Sequence, residues 1–135
     1  MERLTNMLKV AVFFIVACFV VQGLAVDREK RNLIQFARMI KKITGRNALD
    51  YNDYGCWCGV GGGGNALDGV DRCCRAHDQC YIRIERRGCN PKWSTYRSKK
   101  YCPKEACLCD KRAAECFRRN RYNSRNKGVN RNQRC

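Results

Sequence analysis

Apolar positions near the start of the chain form one unbroken run of 12 residues at 10–21, preceded by basic residues at Arg3 and Lys9. Small residues follow at Gly23 and Ala25. A basic start, a short apolar stretch and small residues before a cleavage point are typical of a secretory signal peptide. The run is also short for a transmembrane helix. The pattern predicts a signal peptide at 1–25 and an exported remainder, and the alternative is an uncleaved membrane anchor.

A dibasic pair at 30–31 comes shortly after the predicted signal peptide. Such a pair is a processing signal, so we expect a propeptide at 26–31 and a single mature domain at 32–135. No sequon for N-glycosylation occurs in the sequence.

The mature part opens with a helical pattern at 32–43, where apolar residues recur three and four positions apart, at Leu33, Phe36, Ala37, Ile40 and Ile43. Basic residues occupy the other faces of this helix. The apolar face could pack against the core, or it could lie against a membrane or line the entrance to a lipid site.

A second helical segment holds the only histidine of the chain, His77, within residues 73–81. His77 and Tyr81 share one helical face, and Cys73 and Cys80 lie one turn on either side of the histidine. Asp78 lies about 100° further round the helix. Asp68 is a plausible N-cap, and we expect this helix to run to about residue 87.

Cys109 and Cys116 are also seven residues apart, on a third predicted helix at about 104–120. Antiparallel pairing of the two helices joins Cys73 to Cys116 and Cys80 to Cys109. In that register Asp110 lies in the region opposite His77. A histidine facing a carboxylate is a general base with its orienting partner. The alternative is a histidine that merely packs within the cysteine framework.

Cysteine content and charge both fit an extracellular protein. Eleven of the 12 cysteines lie in 32–135, which for an exported chain of this size indicates a disulfide framework. The close pairs at 56 and 58 and at 73 and 74 lack the spacing of zinc sites. The net charge is +16, of which +14 belongs to 32–135. Such a chain will bind anionic phospholipid, bacterial envelope or heparin-like polyanions, but it has no base-reading motif for specific nucleic acid.

Glycines dominate residues 59–64, which formally satisfy the dinucleotide-binding pattern G-x-G-x-x-G. No apolar strand precedes the pattern and no βαβ unit follows it, so we reject that interpretation. A glycine-rich loop between disulfide cysteines can instead turn alternate carbonyls toward a hard cation. Asp78 would add carboxylate oxygens.

Two basic segments complete the chain. Residues 89–102 predict a short surface loop or two-stranded ribbon, and residues 117–135 carry seven basic side chains and no acidic one. The local pattern of the tail favours a solvated coil, whereas the terminal Cys135 indicates that the tail is pinned.

Several motifs in order, at 54–64, 71–81 and 107–117, resemble the secreted phospholipase A2 family across nearly all of 32–135. The resemblance implies a mainly α, small disulfide-rich domain. Its expected parts are an N-terminal amphipathic helix, a glycine-rich calcium loop, two long antiparallel disulfide-linked helices and a short β-wing.

The resemblance also implies an activity: calcium-dependent hydrolysis of the sn-2 ester of glycerophospholipids at membrane surfaces, giving lysophospholipid and free fatty acid. The implied roles are His77 as the base that activates water, Asp110 as its partner, Tyr81 and Tyr96 as supports of Asp110, Trp57, Gly59, Gly61 and Asp78 as ligands of one calcium ion, and Leu33, Phe36 and Ile40 as the acyl-chain channel.

The implied disulfides are Cys56–Cys135, Cys58–Cys74, Cys73–Cys116, Cys80–Cys109 and Cys89–Cys102. Cys107 is left over, because the segment at 89–102, where the family has its partner, is trimmed. It is either a free thiol in a monomer or the link of a dimer.

Two further departures from the family are Trp57 in place of a usual tyrosine and Ala66 in place of a usual proline. Only the carbonyl of Trp57 is needed for calcium. The alternative function is a non-catalytic basic toxin or antimicrobial that disrupts membranes on the same scaffold. The presence of Asp78 favours the enzyme.

Overall fold

The computed structural model describes residues 33–91 and 101–135. The helices within these residues are α1 (33–44), α2 (Ala48–Tyr51), α3 (Gly69–Glu85), α4 (Tyr101–Arg119), a 3₁₀ turn (Ser124–Asn126) and α5 (Arg131–Arg134). The predicted mainly α, disulfide-rich fold is confirmed. The expected signal peptide (1–25), the propeptide (26–31), Tyr96 and most of the expected β-wing (92–100) lie outside the described residues.

Helices α3 and α4 pack together as the centre of the domain. Cys73–Cys116 and Cys80–Cys109 join them, with Cα atoms 5.7 and 5.8 Å apart. Because both pairs are spaced by seven residues, the two bonds fix one antiparallel register along two turns of each helix. A disulfide of this kind typically stabilises a fold by about 2–4 kcal/mol.

Small residues on α4 allow the two helices to approach closely. Ala106, Ala113 and Ala114 are all buried on the side of α4 that faces the core. At the other end of the contact, a Cβ on Gly69 would come 1.9 Å from the side-chain oxygen of Asn120, so a larger residue there would have to displace that side chain. The remaining core is formed by apolar side chains of α1, α2, α3 and α4: Ile40, Tyr51, Val70 and Phe117.

The start of α3 is fixed by Asp68, as the sequence predicts. One carboxylate oxygen accepts the Asp71 N–H at 2.9 Å, and the other accepts the hydroxyl of Tyr54 and the side-chain amide of Asn126. Tyr54 is fully buried. Burial, together with its hydrogen bond to Asp68, raises the pKa of Tyr54 to about 12. The phenol therefore stays protonated and serves as a hydrogen-bond donor at any physiological pH.

Asp71, one turn into α3, is completely buried and holds the loop that precedes the helix. Its two oxygens accept the backbone N–H groups of Cys56, Trp57 and Leu67, each at 2.8 Å. A Cβ on Gly55 would lie only 2.3 Å from the Asp71 carboxylate carbon, and Gly55 also has a positive φ of 59°. The close approach of loop and carboxylate therefore depends on that glycine.

Two helical boundaries differ from the sequence-based prediction. α4 begins at Tyr101 rather than near residue 104, because Pro103 then lies in the first turn, where a missing N–H costs nothing. α3 ends at Glu85, two residues earlier than expected. The short helix α2 lies in a region that the sequence pattern left unassigned, and the side chain of Asn47 caps it.

The prediction of a solvated coil for the tail was wrong, whereas the prediction that the tail is pinned is confirmed. Lys127 forms an antiparallel bridge with Tyr54, and the Gly55 N–H donates to the Asn126 carbonyl at 2.7 Å. Cys135 is bonded to Cys56. Cys135 was the sign of this return in the sequence. The contacts of Asn126 and Lys127 are made with backbone groups more than 70 positions away, so local sequence carries no sign of them.

Across 33–91 and 101–135, no helix has the length and apolar character needed to cross a membrane.

We expect Asp71→Asn to lower the free energy of unfolding by about 1–3 kcal/mol, because the amide leaves a buried N–H group without its acceptor. Asp50→Asn is the matched control, since its carboxylate is 41% exposed and forms only a 3.6 Å ion pair with Arg46. That change should cost less than about 1 kcal/mol. Denaturant unfolding with the disulfides intact measures both, and equal losses would contradict the anchoring role of Asp71.

Candidate active site

His77 and Asp110 form a close, largely buried pair across the contact between α3 and α4. The His77 Nε2 atom lies 2.6 Å from Asp110 Oδ1. The Asp110 side chain has no exposed surface and that of His77 is 14% exposed. The hydroxyl of Tyr81, one turn along α3, donates to the same carboxylate oxygen at 2.7 Å. The structure therefore brings together three of the four residues expected at the base, and Tyr96 lies outside the described residues.

The pairing with Asp110 defines the role of each ring nitrogen. A carboxylate accepts a hydrogen bond, so Nε2 carries the proton and Nδ1 is left with its lone pair. Nδ1 lies 3.9 Å from a carboxylate oxygen of Asp78, whose side chain is 38% exposed. The basic nitrogen thus faces the side of the helix where the expected cation ligand lies.

An aromatic ring from α1 covers the imidazole. Phe36 stacks on His77 with ring centroids 4.9 Å apart and planes 12° from parallel. Of the other two expected channel residues, Leu33 is 64% exposed at the start of α1, whereas Ile40 is buried in the core. The apolar face of α1 therefore extends from the surface past the histidine into the core.

The glycine-rich loop, residues 55–64, is attached to the face of α3 next to the one that carries His77. Asp71, Cys74 and Asp78 are spaced by three and four residues, so they share that face. Asp71 binds the loop through the Cys56 and Trp57 N–H groups. Cys74 binds it through the disulfide to Cys58, with Cα atoms 5.0 Å apart. The loop is thus fixed one turn before Asp78.

Carbonyl oxygens of this loop fall into two alternating sets. Those of Cys58 and Val60 accept hydrogen bonds from the Arg131 guanidinium. Those of Trp57, Gly59 and Gly61 accept no hydrogen bond from the described residues, and the two glycines have positive φ angles of 100° and 74°. Oxygen atoms of carbonyls and carboxylates are the ligands that a hard cation such as Ca²⁺ prefers.

No group of three or more His, Cys, Asp or Glu side chains converges on a possible metal position within the described parts of the chain. The expected calcium set contains one carboxylate and three backbone carbonyls. Because most of these expected ligands are backbone oxygens, the expected calcium site is not a cluster of side chains.

The five disulfides of the structure are the pairs that the resemblance implies: Cys56–Cys135, Cys58–Cys74, Cys73–Cys116, Cys80–Cys109 and Cys89–Cys102. Among the described cysteines, Cys107 alone has no disulfide partner. Burial raises the pKa of its thiol, and the nearby Asp110 carboxylate adds to the rise.

Comparison with known proteins decides the family. A family model described as Phospholipase A2 matches residues 33–127. The chain belongs to the phospholipase A2 family. It is similar to group IIE secretory phospholipase A2 from Homo sapiens, with 50% identity over 100 residues, 66% of this chain and 70% of that protein. The Mus musculus protein of the same name is 49% identical over the same shares.

Two residues important to this phospholipase A2 site escaped the sequence-based analysis. Asp71 is the first residue of the motif at 71–81, where the sequence indicates only an acidic residue in the first turn of a helix. Its burial and its three hydrogen-bond donors depend on the tertiary structure. Arg131 lies in a tail with seven basic residues, where composition cannot separate one arginine from the rest. The disulfide Cys56–Cys135, which the resemblance implies, was the one indication that the tail lies against the loop.

The position of the Trp57 carbonyl can be tested with two neighbouring glycines. A Cβ on Gly62 would come 2.7 Å from the Trp57 oxygen, whereas a Cβ on Gly63 meets nothing within 4 Å. We expect Gly62→Ala to displace that carbonyl and to raise the calcium dissociation constant by about tenfold or more, measured by titration calorimetry.

Gly63→Ala is the control and should bind calcium like the wild type. Unchanged calcium affinity in Gly62→Ala would mean that the Trp57 carbonyl is not a ligand.

Proposed function

We propose that this secreted phospholipase A2 hydrolyses the sn-2 ester of glycerophospholipids at membrane surfaces, releasing lysophospholipid and a free fatty acid. The observation that carries the proposal is the 2.6 Å hydrogen bond between His77 Nε2 and the buried Asp110 carboxylate. Because Nε2 makes this bond, the other ring nitrogen, Nδ1, acts as the base, and it faces Asp78.

In the proposed reaction, His77 Nδ1 takes a proton from a water molecule whose oxygen attacks the sn-2 carbonyl carbon. The bond between that carbon and the glycerol oxygen then breaks, and the same nitrogen returns the proton to the leaving oxygen. Asp110 holds the imidazole in the required tautomer and stabilises the positive charge that the ring carries between the two proton transfers. Tyr81 and Tyr96 support Asp110.

The proposed calcium ligands are the carbonyl oxygens of Trp57, Gly59 and Gly61 and the carboxylate of Asp78, for one ion. The alternation of used and unused carbonyls supports this set. When bound, the ion supplies positive charge for the substrate phosphate and for the oxygen that becomes negative during attack. We also assign the Gly59 N–H as a hydrogen-bond donor to that oxygen.

Substrate access is proposed to follow α1, with Leu33, Phe36 and Ile40 lining the acyl-chain channel. The stack of Phe36 on His77 and the exposure of Leu33 support a continuous apolar path from the membrane to the base. Burial of chain methylenes along such a path contributes about 0.8 kcal/mol for each CH₂ group.

The net charge of +14 in 32–135 supports an anionic phospholipid surface as the preferred partner, with heparin-like polyanions as further partners. We also propose cleavage after residues 25 and 31 to give the mature chain. For Cys107 we propose a protected thiol in a monomer rather than a dimer link, because partial burial and the raised pKa of the thiol both disfavour the reactive thiolate.

Hydrolysis of anionic phospholipid vesicles by the secreted protein tests the proposal. We expect release of the sn-2 fatty acid in calcium, and loss of that release by at least about 10²-fold either in chelator or in the His77→Gln variant. Mass spectrometry identifies the fatty acid, and sedimentation of the vesicles measures binding.

Binding to vesicles should persist in both cases, because the basic surface is unchanged. Vesicle leakage without fatty-acid release would favour the membrane-disrupting toxin instead. Undiminished hydrolysis in chelator would contradict the calcium assignment.

A further inference from the structure

The guanidinium of Arg131, in the C-terminal helix α5, contacts three backbone carbonyls of the glycine-rich loop. Nη2 donates to the Cys58 oxygen at 2.7 Å, Nη1 to the Val60 oxygen at 2.8 Å and Nε to the Gly55 oxygen at 3.1 Å. A guanidinium is planar and its donors are fixed in direction. The three bonds therefore fix the orientation of three peptide units at once.

The carbonyls that Arg131 binds alternate with the proposed calcium ligands. Cys58 and Val60 lie between Trp57, Gly59 and Gly61 in sequence. The peptide bonds are trans, so the C=O and N–H of each unit point in opposite directions. Holding the Cys58 oxygen therefore also sets the direction of the Gly59 N–H, which is the proposed oxyanion donor.

Arg131 is itself held in place from both ends of its short helix. Its Nη2 lies 3.5 Å from an oxygen of Asp53. Four residues later, Cys135 is bonded to Cys56 at the start of the loop. At the far end of the loop, a Cβ on Gly64 would lie 2.2 Å from the Cys135 carbonyl oxygen. The last five residues of the chain therefore lie across the loop from Gly55 to Gly64.

The loop needs such support because six of its ten residues (55–64) are glycines, at 55, 59 and 61–64. Glycine has the most backbone freedom to lose when a ligand orders the chain. A loop that is ordered before binding loses less of that freedom on binding, so its affinity is higher. The positive charge of the guanidinium acts in the opposite direction, because it repels a nearby cation.

We infer that Arg131 is a positioning residue for calcium, which holds the loop in its binding conformation from the side opposite the ion. This inference rests on the proposed function. It concerns a residue beyond the stretch 33–127 that the family model matches. The three charged hydrogen bonds order the loop. Their favourable effect on calcium affinity exceeds the repulsion between the guanidinium and the ion, because peptide units separate the two charges.

Titration calorimetry of the secreted protein with calcium tests the inference. Arg131→Ala should raise the calcium dissociation constant by about tenfold or more. Phospholipid hydrolysis by this variant should be lost at low calcium and should recover as calcium approaches saturation. A merely structural role would not give that recovery.

Two variants control for charge and folding. Arg134→Ala removes the same charge from the same helix and should bind calcium like the wild type. Arg131→Lys keeps the charge but offers one nitrogen instead of a fork, so its affinity should lie between those of the wild type and Arg131→Ala. It also provides the decisive comparison if Arg131→Ala does not fold, which thermal unfolding in chelator reveals.

Wild-type affinity in both Arg131 variants, or tighter binding in Arg131→Ala, would overturn the positioning role and leave the proposed function standing. An equal loss in Arg134→Ala would also overturn it, because net charge would then explain the effect. A wild-type protein that binds no calcium would overturn both proposals.

Discussion

The hydrogen bond between His77 and Asp110 depends on the register of two helices, and two disulfides set that register. Cys73–Cys116 and Cys80–Cys109 lie one turn on either side of the histidine. A shift of α4 by a single residue would rotate Asp110 away by about 100°. The domain is small, and small domains bury a smaller fraction of their surface in the core. The crosslinks therefore set the geometry of the His77–Asp110 pair as well as stabilising the fold.

Neighbouring faces of α3 make separate contacts, which places the proposed base next to the proposed cation site in a small domain. One face binds α4 and carries His77. The adjacent face carries Asp71, Cys74 and Asp78, and it anchors the glycine-rich loop by hydrogen bonds, a disulfide and the proposed ion in turn. Because one rigid helix carries both faces, His77 and Asp78 keep a fixed separation while the loop itself is built largely of glycine.

Spacing along the sequence was enough to predict what depends on helical periodicity. The matched intervals at Cys73, Cys80, Cys109 and Cys116, the position of Asp110 and the Asp68 cap all follow from local pattern. The contacts of the tail do not. Arg131 and Lys127 bind backbone carbonyls more than 70 residues away. Every residue has a backbone carbonyl, so the sequence does not indicate which ones are bound. The buried environment of Asp71 is hidden for the same reason, since its three donors are N–H groups that every residue but proline carries.

The central claim is that the loop carbonyls and Asp78 hold one divalent ion beside the base. A crystal structure of the mature protein grown with calcium, with the ion located by its anomalous scattering, tests this claim most directly. The account predicts one ion at about 2.3–2.6 Å from the carbonyl oxygens of Trp57, Gly59 and Gly61 and from the Asp78 carboxylate. An ion bound elsewhere, or a loop whose 57, 59 and 61 carbonyls point away from residue 78 in saturating calcium, would contradict it.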